Sequence, residues 1–488
     1  MPASSPRALG RTWPQRLVLV AGVCLVVGCT VSAAVAGYFG VRLSQIDRVS
    51  DIEIAAARAG EPANYLLVGT DSREGLDPDD PDTAGFTGDG ETGCDCTDTI
   101  MVLRVDPEEK RAQILSFPRD LWIPIADTGK NARINSAHGH GEQVLIDTIQ
   151  NNFGVTINHY VEIDFVGFER LVDAVGGIPM WFDAPVRDKH TGLSVPEAEC
   201  QVLDGEQARK FVRSRYLEYK DADGEWRSDG TADLGRITRQ QIFIRSAISK
   251  AVSKGLTNPV TLNQLVSAGV DNVRLDEHLD AGDLVDLGKQ FASFDSKELV
   301  GYSIPSERYR TSAGADVQLP LLREAEQILN IFRGLPPGTI SPRSIELTVL
   351  NGTGVQGQAA DAAGAFETIG FLIGSVDTYP ESPVGRTTVF FGDGGEAAGR
   401  RVARHITGGA ALKFDPDVDA GSVVLVTGQD FTTVHDQPTP EGSPEDLLIT
   451  TSTSVGETST TVPATTTTTA PAAVGYGTGE PPAGVSCG

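Results

Sequence analysis

The sequence contains few basic residues, and this shortage limits the partners that the chain can bind. Lys and Arg number 40 among 488 residues, against 66 Asp and Glu, so the formal net charge at pH 7 is -26. Nucleic-acid-binding proteins neutralise phosphates with clustered Lys and Arg, and no basic recognition helix stands out here. We therefore exclude nucleic acid as a partner, and any bound anion must meet a local cluster of arginines.

Residues 17–41 lack charge altogether and form the longest apolar run of the chain. This length suffices for a membrane-spanning helix, which needs roughly 20 apolar residues. The run is preceded by arginines and followed by acidic residues: Arg7, Arg11, Arg16, Asp47, Asp51 and Glu53. The pattern predicts a single-pass anchor in the cell membrane, with residues 1–16 in the cytoplasm and the remainder outside.

Two alternatives to an uncleaved anchor remain open at this point. The stretch "VVGC" resembles a lipoprotein cleavage box, and "AVA" (residues 34–36) resembles a signal-peptidase site. The apolar run continues past both to Tyr38 and Phe39, which favours the uncleaved anchor.

Composition divides the rest of the chain into two compact units and a tail. Residues 62–334 alternate apolar runs with helical patterns, and a "PPGTISP" linker separates them from a second unit at 345–428. Residues 435–488 are rich in Thr, Pro and Ser and lack the apolar content needed to bury a core. We expect this last segment to be a disordered spacer.

Strand and helix patterns alternate in the larger unit. Strands are predicted for "NYLLVG", "TIMVLRVD", "AQILSF" and "YVEIDF", and helices for "EQVLIDTIQNNFG" and "VGFERLVDAVGGI". Such alternation predicts an α/β fold, layered α/β/α around a central mixed sheet, with a small α+β unit after it.

Charged residues recur where these elements begin and end. They are Asp71, Arg73, Asp98, Arg119, Asp120, Lys130 and Arg133. In "KFVRSRY", Arg213 and Arg215 alternate so that they share one face of an extended segment. In "DLGRITRQQ", Asp233, Arg236 and Gln240 occupy one helical face, in a first turn whose backbone N–H groups favour an anion.

Taken singly, each of these residues is explained by a surface ion pair. Together they place several arginines and a few carboxylates at element ends in an acidic chain. Arginines bind phosphate oxygens in a bidentate manner, and neighbouring carboxylates suit Mg²⁺ held partly by phosphate. The predicted ligand is a diphosphate. Asp71 and Asp98 are the candidate metal ligands, and the alternative is that these two carboxylates only hold arginines.

Five stretches of the sequence resemble the LytR-CpsA-Psr family over about residues 62–251. They are "TDTIMVLRVDPEEKRAQILSFPRDLWIPI", "ARINSAHGHG", "HYVEIDFVGFERLVDAVGGIP", "LDGEQARKFVRSR" and "DLGRITRQQ". The resemblance implies a membrane-anchored phosphotransferase that moves a glycopolymer from a polyprenyl diphosphate carrier to peptidoglycan. The second unit, from "IELTVLNGTG" onward, is similar to the LytR C-terminal domain.

Carried over position by position, the resemblance assigns roles to the charged residues. The diphosphate ligands would be Arg73, Arg119, Arg133, Arg213, Arg215, Arg236 and Gln240, with Asp120 and Asp233 in support. Catalysis would depend on Arg119, Asp98, Arg213 and Arg215. Many members have an Arg where this chain has Cys96, and Lys130 or Arg104 are candidate substitutes.

Scarce cysteine and histidine restrict the remaining chemistry. A C-x-C pair with no second pair and few nearby His is unsuited to zinc. In an extracytoplasmic region disulfides persist, so we expect Cys200 to pair with Cys94 or Cys96. His138 and His140 are candidates for the general base by residue type, but the resemblance gives them no role.

The alternative functions are a pyrophosphatase or a lipid-carrier binding protein that uses the same pocket without transfer. The family name also suggests a transcriptional regulator, which the acidic charge and the predicted topology oppose.

Overall fold

The structure is a computed structural model. It describes residues 37–38, 40–58, 60–70, 97–255, 259–293, 299–336, 338–440 and 449–452, together with 481, 485 and 487. Most of the predicted anchor (17–41), and Asp71, Arg73, Cys94 and Cys96, lie outside the described residues. Within the described residues, no helix has both the length and the apolar composition required to cross a membrane.

The described residues form strands that are numbered in chain order. They are β1 (Asp47–Val49), β2 (Ala63–Thr70), β3 (Thr97–Asp106), β4 (Arg111–Ser116), β5 (Trp122–Ile125), β6 (Lys130–Arg133), β7 (His159–Asp164), β8 (Ile178–Phe182), β9 (Val186–Asp188), β10 (Leu193–Val195), β11 (Glu199–Leu203), β12 (Glu218–Lys220), β13 (Trp226–Ser228), β14 (Val273–Asp276), β15 (Val300–Ser303), β16 (Ser306–Arg310), β17 (Asp316–Pro320), β18 (Glu346–Asn351), β19 (Leu372–Thr378), β20 (Thr388–Phe391), β21 (Ala411–Phe414), β22 (Val423–Thr427) and β23 (Thr450–Ser452).

Helices of the same residues are numbered likewise. They are α1 (Glu142–Phe153), α2 (Phe165–Ala174), α3 (Gly205–Arg213), α4 (Ala232–Lys250), α5 (Pro259–Asn272), α6 (Ala281–Ser293), α7 (Leu322–Arg333), α8 (Gln358–Ile369) and α9 (Glu396–Ala403). Short 3-10 turns occupy Ile134–Ser136, His138–His140 and Pro342–Ser344, and a π-helical turn (Ala251–Gly255) continues α4.

A seven-stranded mixed sheet forms the centre of the larger unit, in the order β1-β14-β7-β2-β3-β4-β15. Strands β2, β3 and β4 are antiparallel neighbours, whereas β2 pairs with β7 and β4 with β15 in parallel. Apolar residues cover both faces, because alternate side chains of β3 join two different cores. The predicted α/β/α layering is therefore confirmed.

Helix α1 illustrates how the sequence determines one of these layers. Leu145, Ile149 and Phe153 recur at helical spacing and are fully buried against the sheet. Gly154 follows in the left-handed conformation (φ 66°) and ends the helix. The helix predicted for this stretch is confirmed.

The second unit is a six-stranded sheet in the order β19-β18-β22-β20-β21-β23, with α8 and α9 packed on it. Its last strand corrects the sequence prediction, because β23 lies in the segment expected to be a disordered tail. This strand pairs with β21, and Ile449 before it is only 7% exposed.

The cysteine pairing also differs from the expectation. Cys200 on β11 forms a disulfide with Cys487, with Cα atoms 5.3 Å apart, so the predicted partner, Cys94 or Cys96, is wrong. The prediction considered cysteines of the same unit, whereas the partner lies 287 residues away in the sequence. A covalent bond therefore ties the C-terminal end of the chain to the larger unit.

Peptide mapping of the oxidised full-length chain tests this pairing. We expect a disulfide-linked peptide pair that contains Cys200 and Cys487. Because Cys200 lies on an exposed part of β11, Cys487→Ser should leave it open to alkylation. A peptide linking Cys200 to Cys94 or Cys96 would contradict the structure.

Candidate functional site

The charged site lies at one edge of the central sheet, where β3 begins and β4 ends. Asp98 is the second residue of β3, and Arg119 follows the end of β4, so antiparallel pairing brings them to the same edge. Arg119 Nη1 donates a hydrogen bond to Asp98 Oδ1 at 2.5 Å. Arg236 Nη1, from the second turn of α4, lies 4.0 Å from the same oxygen.

The arginines around Asp98 determine its charge. Burial disfavours the carboxylate, but Arg236, Arg119 and Arg213 outweigh it and hold the pKa of Asp98 below its ordinary value. Asp98 is therefore an anion at neutral pH, and three guanidinium groups lie within its electrostatic reach.

The first turns of α4 supply the next group of ligands. Arg236 Nη2 lies 2.8 Å from Asp233 Oδ1, and Arg215 Nη2 lies 3.3 Å from the same oxygen. Arg236 is only 3% exposed, and this burial lowers its pKa to about 10, which still leaves it charged at neutral pH. Gln240 donates through Nε2 to Thr99 Oγ1 at 3.0 Å. The predicted helical face thus carries all three residues to the sheet edge.

Arg213 and Arg215 reach the site by a different route from the predicted one. The segment was expected to be extended, but Arg213 is the last residue of α3, and Ser214 directly after it is extended. Asp204 caps the N-terminus of this helix, and Ala208 and Phe211 are buried on its inner face. The cap and the burial together favour a helix over a strand. The Arg213 guanidinium lies 4.4 Å over the ring of Phe165.

Asp120 links Arg119 to Arg133, the remaining predicted arginine among the described residues. Its Oδ2 lies 3.9 Å from Arg119 Nε, and its Oδ1 lies 3.4 Å from Arg133 Nε. Arg133 also donates to the backbone carbonyl of Asp316 at 3.1 Å. Its side chain is 43% exposed, so Arg133 lies at the solvent side of the cluster.

Several buried polar atoms of the site have no hydrogen-bond partner among the described residues. They are Arg119 Nε, Arg215 Nη2, Arg236 Nε, Thr97 Oγ1 and both carboxylate oxygens of Asp233. Arg215 Nη2 and Arg236 Nη2 both lie within ion-pair distance of Asp233 Oδ1, but neither contact has the geometry of a hydrogen bond. Buried polar groups are normally satisfied, so a cluster of unsatisfied donors and acceptors indicates a site built for a ligand.

Donors and acceptors of this kind fit a metal-bound phosphate. Guanidinium N–H groups suit phosphate oxygens, while the carboxylates of Asp98 and Asp233 suit a hard cation. Mg²⁺ is commonly held by one or two carboxylates plus substrate phosphates, so the residues present fit this ion. The other predicted metal ligand, Asp71, and the predicted phosphate ligand Arg73 lie outside the described residues.

A second cluster of charged residues lies around β7, which β2 separates from β3. In the described part of the chain, His138, Glu142 and Glu162 place their potential ligand atoms within 4.8 Å of one another. Arg274 Nη1 lies 2.9 Å from Glu142 and 3.1 Å from Glu162, and Tyr160 donates to Glu162 at 2.7 Å. Arg274 already pairs with both carboxylates, so the cluster is a partly buried ionic network.

This network predicts a pH-dependent contribution to stability. Burial disfavours the Glu162 carboxylate, but hydrogen bonds from His138 and Tyr160 and the charge of Arg274 lower its pKa from 4.5 to about 2. A depressed folded-state pKa stabilises the fold above pH 4.5 and loses this contribution as pH falls towards about 2. Glu162→Gln should therefore lower the free energy of unfolding at pH 7, by roughly 1–2 kcal/mol once solvent screening of the exposed part of the network is included.

Urea unfolding of wild type and Glu162→Gln at pH 7, 4 and 2.5 measures this contribution. We expect the difference between the two proteins to shrink as the pH falls. A difference that stays constant over this range would contradict the role of the ionised carboxylate.

The structure rejects one suggested substitute for the arginine missing at Cys96. Arg104 lies six residues along β3 from Asp98, which is about 20 Å at the rise of a strand. It faces Asn64 instead, at 3.4 Å. Lys130 is exposed at the start of β6.

The sequence prediction missed the buried polar residues beneath Arg215. Arg239 forms an ion pair with Asp229 at 2.7 Å, and both side chains are 1% exposed. Arg239 is the arginine of "TRQQ", directly before Gln240, but a single sequence does not reveal which arginine of a helix is buried.

Both units of the chain match known protein families. The LytR_cpsA_psr family model matches residues 41–333, and the model described as LytR cell envelope-related transcriptional attenuator matches residues 344–431. Among solved structures, this chain is similar to the LytR-Csp2A-Psr enzyme from Actinomyces oris. The two chains are 24% identical, with a TM-score of 0.46, over 60% of this chain and 97% of that one.

Curated relatives include proteins of cell-wall assembly. The probable cell wall biosynthesis protein LcpB of Corynebacterium glutamicum is 33% identical, over 53% of this chain and 58% of its own. The cell wall biosynthesis protein LcpA of the same species is 26% identical, over 81% and 80%. The polyisoprenyl-teichoic acid–peptidoglycan teichoic acid transferase TagU of Halalkalibacterium halodurans is 29% identical, over 46% and 63%. The chain thus spans less than two thirds of LcpB and TagU.

Proposed function

The chain belongs to the LytR_cpsA_psr family, and we propose that it transfers a glycopolymer from a polyprenyl diphosphate carrier to peptidoglycan. The observation that carries this proposal is the convergence of Arg119, Arg215 and Arg236 on the carboxylates of Asp98 and Asp233. Each of these arginines has one buried nitrogen without a hydrogen-bond partner among the described residues. The name of the relative TagU, a teichoic acid transferase, supports the same chemistry.

The arginines bind and polarise the diphosphate. The reaction forms a bond between an acceptor hydroxyl and the phosphorus next to the glycopolymer, and it breaks the bond to the departing polyprenyl phosphate. Charge builds on the transferred and leaving phosphates, and fixed guanidinium groups stabilise that charge without rearranging. Arg119, Arg215 and Arg236 are already held by carboxylates at the sheet edge, so the donors are preorganised.

Mg²⁺ is part of this proposal, with Asp98 and Asp71 as its protein ligands. When bound, the ion would neutralise charge on the diphosphate oxygens. Asp98 is suited to this role because its lowered pKa keeps it anionic. The same lowered pKa makes Asp98 a weak base, so accepting the proton of the hydroxyl falls to another group.

We also propose that the enzyme acts at the outer surface of the cell membrane. The uncharged run at residues 17–41, with arginines before it and acidic residues after it, supports a single-pass anchor. Both the lipid-linked donor and peptidoglycan are reached from that side.

Reconstitution tests the proposal directly. Purified full-length chain is incubated with a polyprenyl diphosphate-linked glycopolymer, peptidoglycan fragments and Mg²⁺, with EDTA in a parallel sample. We expect a covalent conjugate and free polyprenyl phosphate, and loss of both with EDTA. Cleavage of the donor without a conjugate would instead identify a pyrophosphatase, and binding without cleavage a carrier-binding protein.

A further inference from the structure

Ser214 lies between the two site arginines and is held from both sides by buried charges. Its backbone carbonyl accepts a hydrogen bond from Arg239 Nη2 at 2.6 Å. Its hydroxyl donates to Asp188 Oδ2 at 2.7 Å. Ser214 itself is fully buried, so this short segment is fixed at its centre while Arg213 and Arg215 extend from either end.

Asp188 also fixes the backbone that follows. Its Oδ2 accepts the N–H groups of Arg215 at 3.1 Å and Tyr216 at 3.0 Å, and its Oδ1 accepts that of His190 at 2.8 Å. Burial of Asp188 opposes its charge, but the Ser214 hydroxyl and the backbone N–H groups of Tyr216 and His190 lower its pKa. The anion is thus stabilised by the loop that it holds.

Arg239 connects the same loop to α4. Its Nη1 forms the ion pair with Asp229, and its Nη2 binds Ser214. Arg236, which projects into the site, lies one turn earlier on the same helix. Gly235 leaves space for this arrangement, because a Cβ there would lie 2.0 Å from Thr231 Oγ1 and 3.1 Å from Arg239 Nη1.

Repulsion between the site arginines explains why the loop around Ser214 must be fixed in place. Arg215 and Arg119 both disfavour the charged form of Arg236, since like charges converge on the site before a ligand arrives. An unsupported loop would relieve this repulsion by moving Arg215 into solvent. Holding the arginines in place beforehand lowers the cost of ordering them when the ligand binds.

We propose that Asp188, Arg239 and Asp229 form a buried clamp on Ser214 that positions Arg213 and Arg215 for a diphosphate ligand. The clamp residues are positioning residues, because they act through the backbone between the two arginines and do not reach the ligand. The identity of the ligand rests on the proposed function, whereas the order of the loop does not.

Hydrogen exchange and ligand binding on the full-length chain test the clamp. The variants are Asp188→Asn, Arg239→Lys and Ser214→Ala, the last of which keeps the carbonyl bond and the packing. The matched control is Arg245→Lys, because Arg245 also lies on α4 and donates through Nη2 to a backbone carbonyl, that of Leu299, at 2.8 Å. The probe is farnesyl diphosphate.

We expect the amides of Arg215 and Tyr216 to exchange about tenfold faster or more in Asp188→Asn and Arg239→Lys, with a smaller increase in Ser214→Ala. Affinity for farnesyl diphosphate should fall about tenfold in the first two variants, and Arg245→Lys should change neither quantity. Unchanged exchange in Ser214→Ala and Arg239→Lys would overturn the clamp. If wild type does not bind the probe, the proposed function fails, and the exchange data still decide the clamp.

Discussion

Arg236→Ala is expected to cause the largest loss of transfer, roughly a hundredfold to a thousandfold in kcat/KM. Arg236 is 3% exposed and lies 2.8 Å from Asp233 and 4.0 Å from Asp98. Its removal takes away a hydrogen-bond donor to the phosphate. It also leaves two buried carboxylates with less positive charge nearby to balance them. Removing one partner of a buried ion pair typically costs about 3–5 kcal/mol of stability.

Steady-state kinetics and urea unfolding separate these two effects. Arg236→Lys should keep much of the stability but recover only part of the activity, because an ammonium lacks the bidentate fork. Arg245→Ala provides the control on the same helix. Near-normal transfer by folded Arg236→Ala protein would remove Arg236 from the site.

Arg213→Ala and Arg215→Ala should each reduce transfer by roughly one to two decades, since a charge-assisted contact contributes about 1.5–3 kcal/mol. Stability should change little, because Arg215 is partly exposed and its loss relieves repulsion on Arg236. Arg→Lys at either position should restore only part of the rate.

Arg187→Ala is the matched control for this pair. Arg187 is exposed to a similar degree as Arg215 and is paired with Glu218 at 2.6 Å on the neighbouring small sheet. It should retain wild-type transfer. Equal activity of the Arg213, Arg215 and Arg187 variants would show that Arg213 and Arg215 are solvated and do not contact the diphosphate.

Local patterns in the sequence account for much of the site. Asp233, Arg236 and Gln240 were predicted on one helical face, and α4 carries them there because Phe243 continues the same buried stripe. Asp98 and Arg119 were predicted at strand ends, and antiparallel pairing of β3 with β4 brings those ends together.

Short windows and distant contacts account for the errors. Alternation over the few residues around Arg213 fits a strand, but Phe211 and Ala208 are buried at the spacing of three residues that a helix requires. The partner of Cys200 depends on packing between segments far apart in the chain, and that of Arg239 depends on which arginine of α4 is buried. Neither quantity is encoded in a local pattern.

Titration of the full-length chain with farnesyl diphosphate and farnesyl monophosphate, in the presence of Mg²⁺, tests the central claim most directly. If the converging arginines form a diphosphate site, the diphosphate should bind at least about tenfold more tightly than the monophosphate. Arg236→Lys and Arg215→Ala should reduce that preference, whereas Arg187→Ala should preserve it. Equal affinity for the two lipids in wild type, or an unchanged preference in the Arg236 and Arg215 variants, would contradict the account.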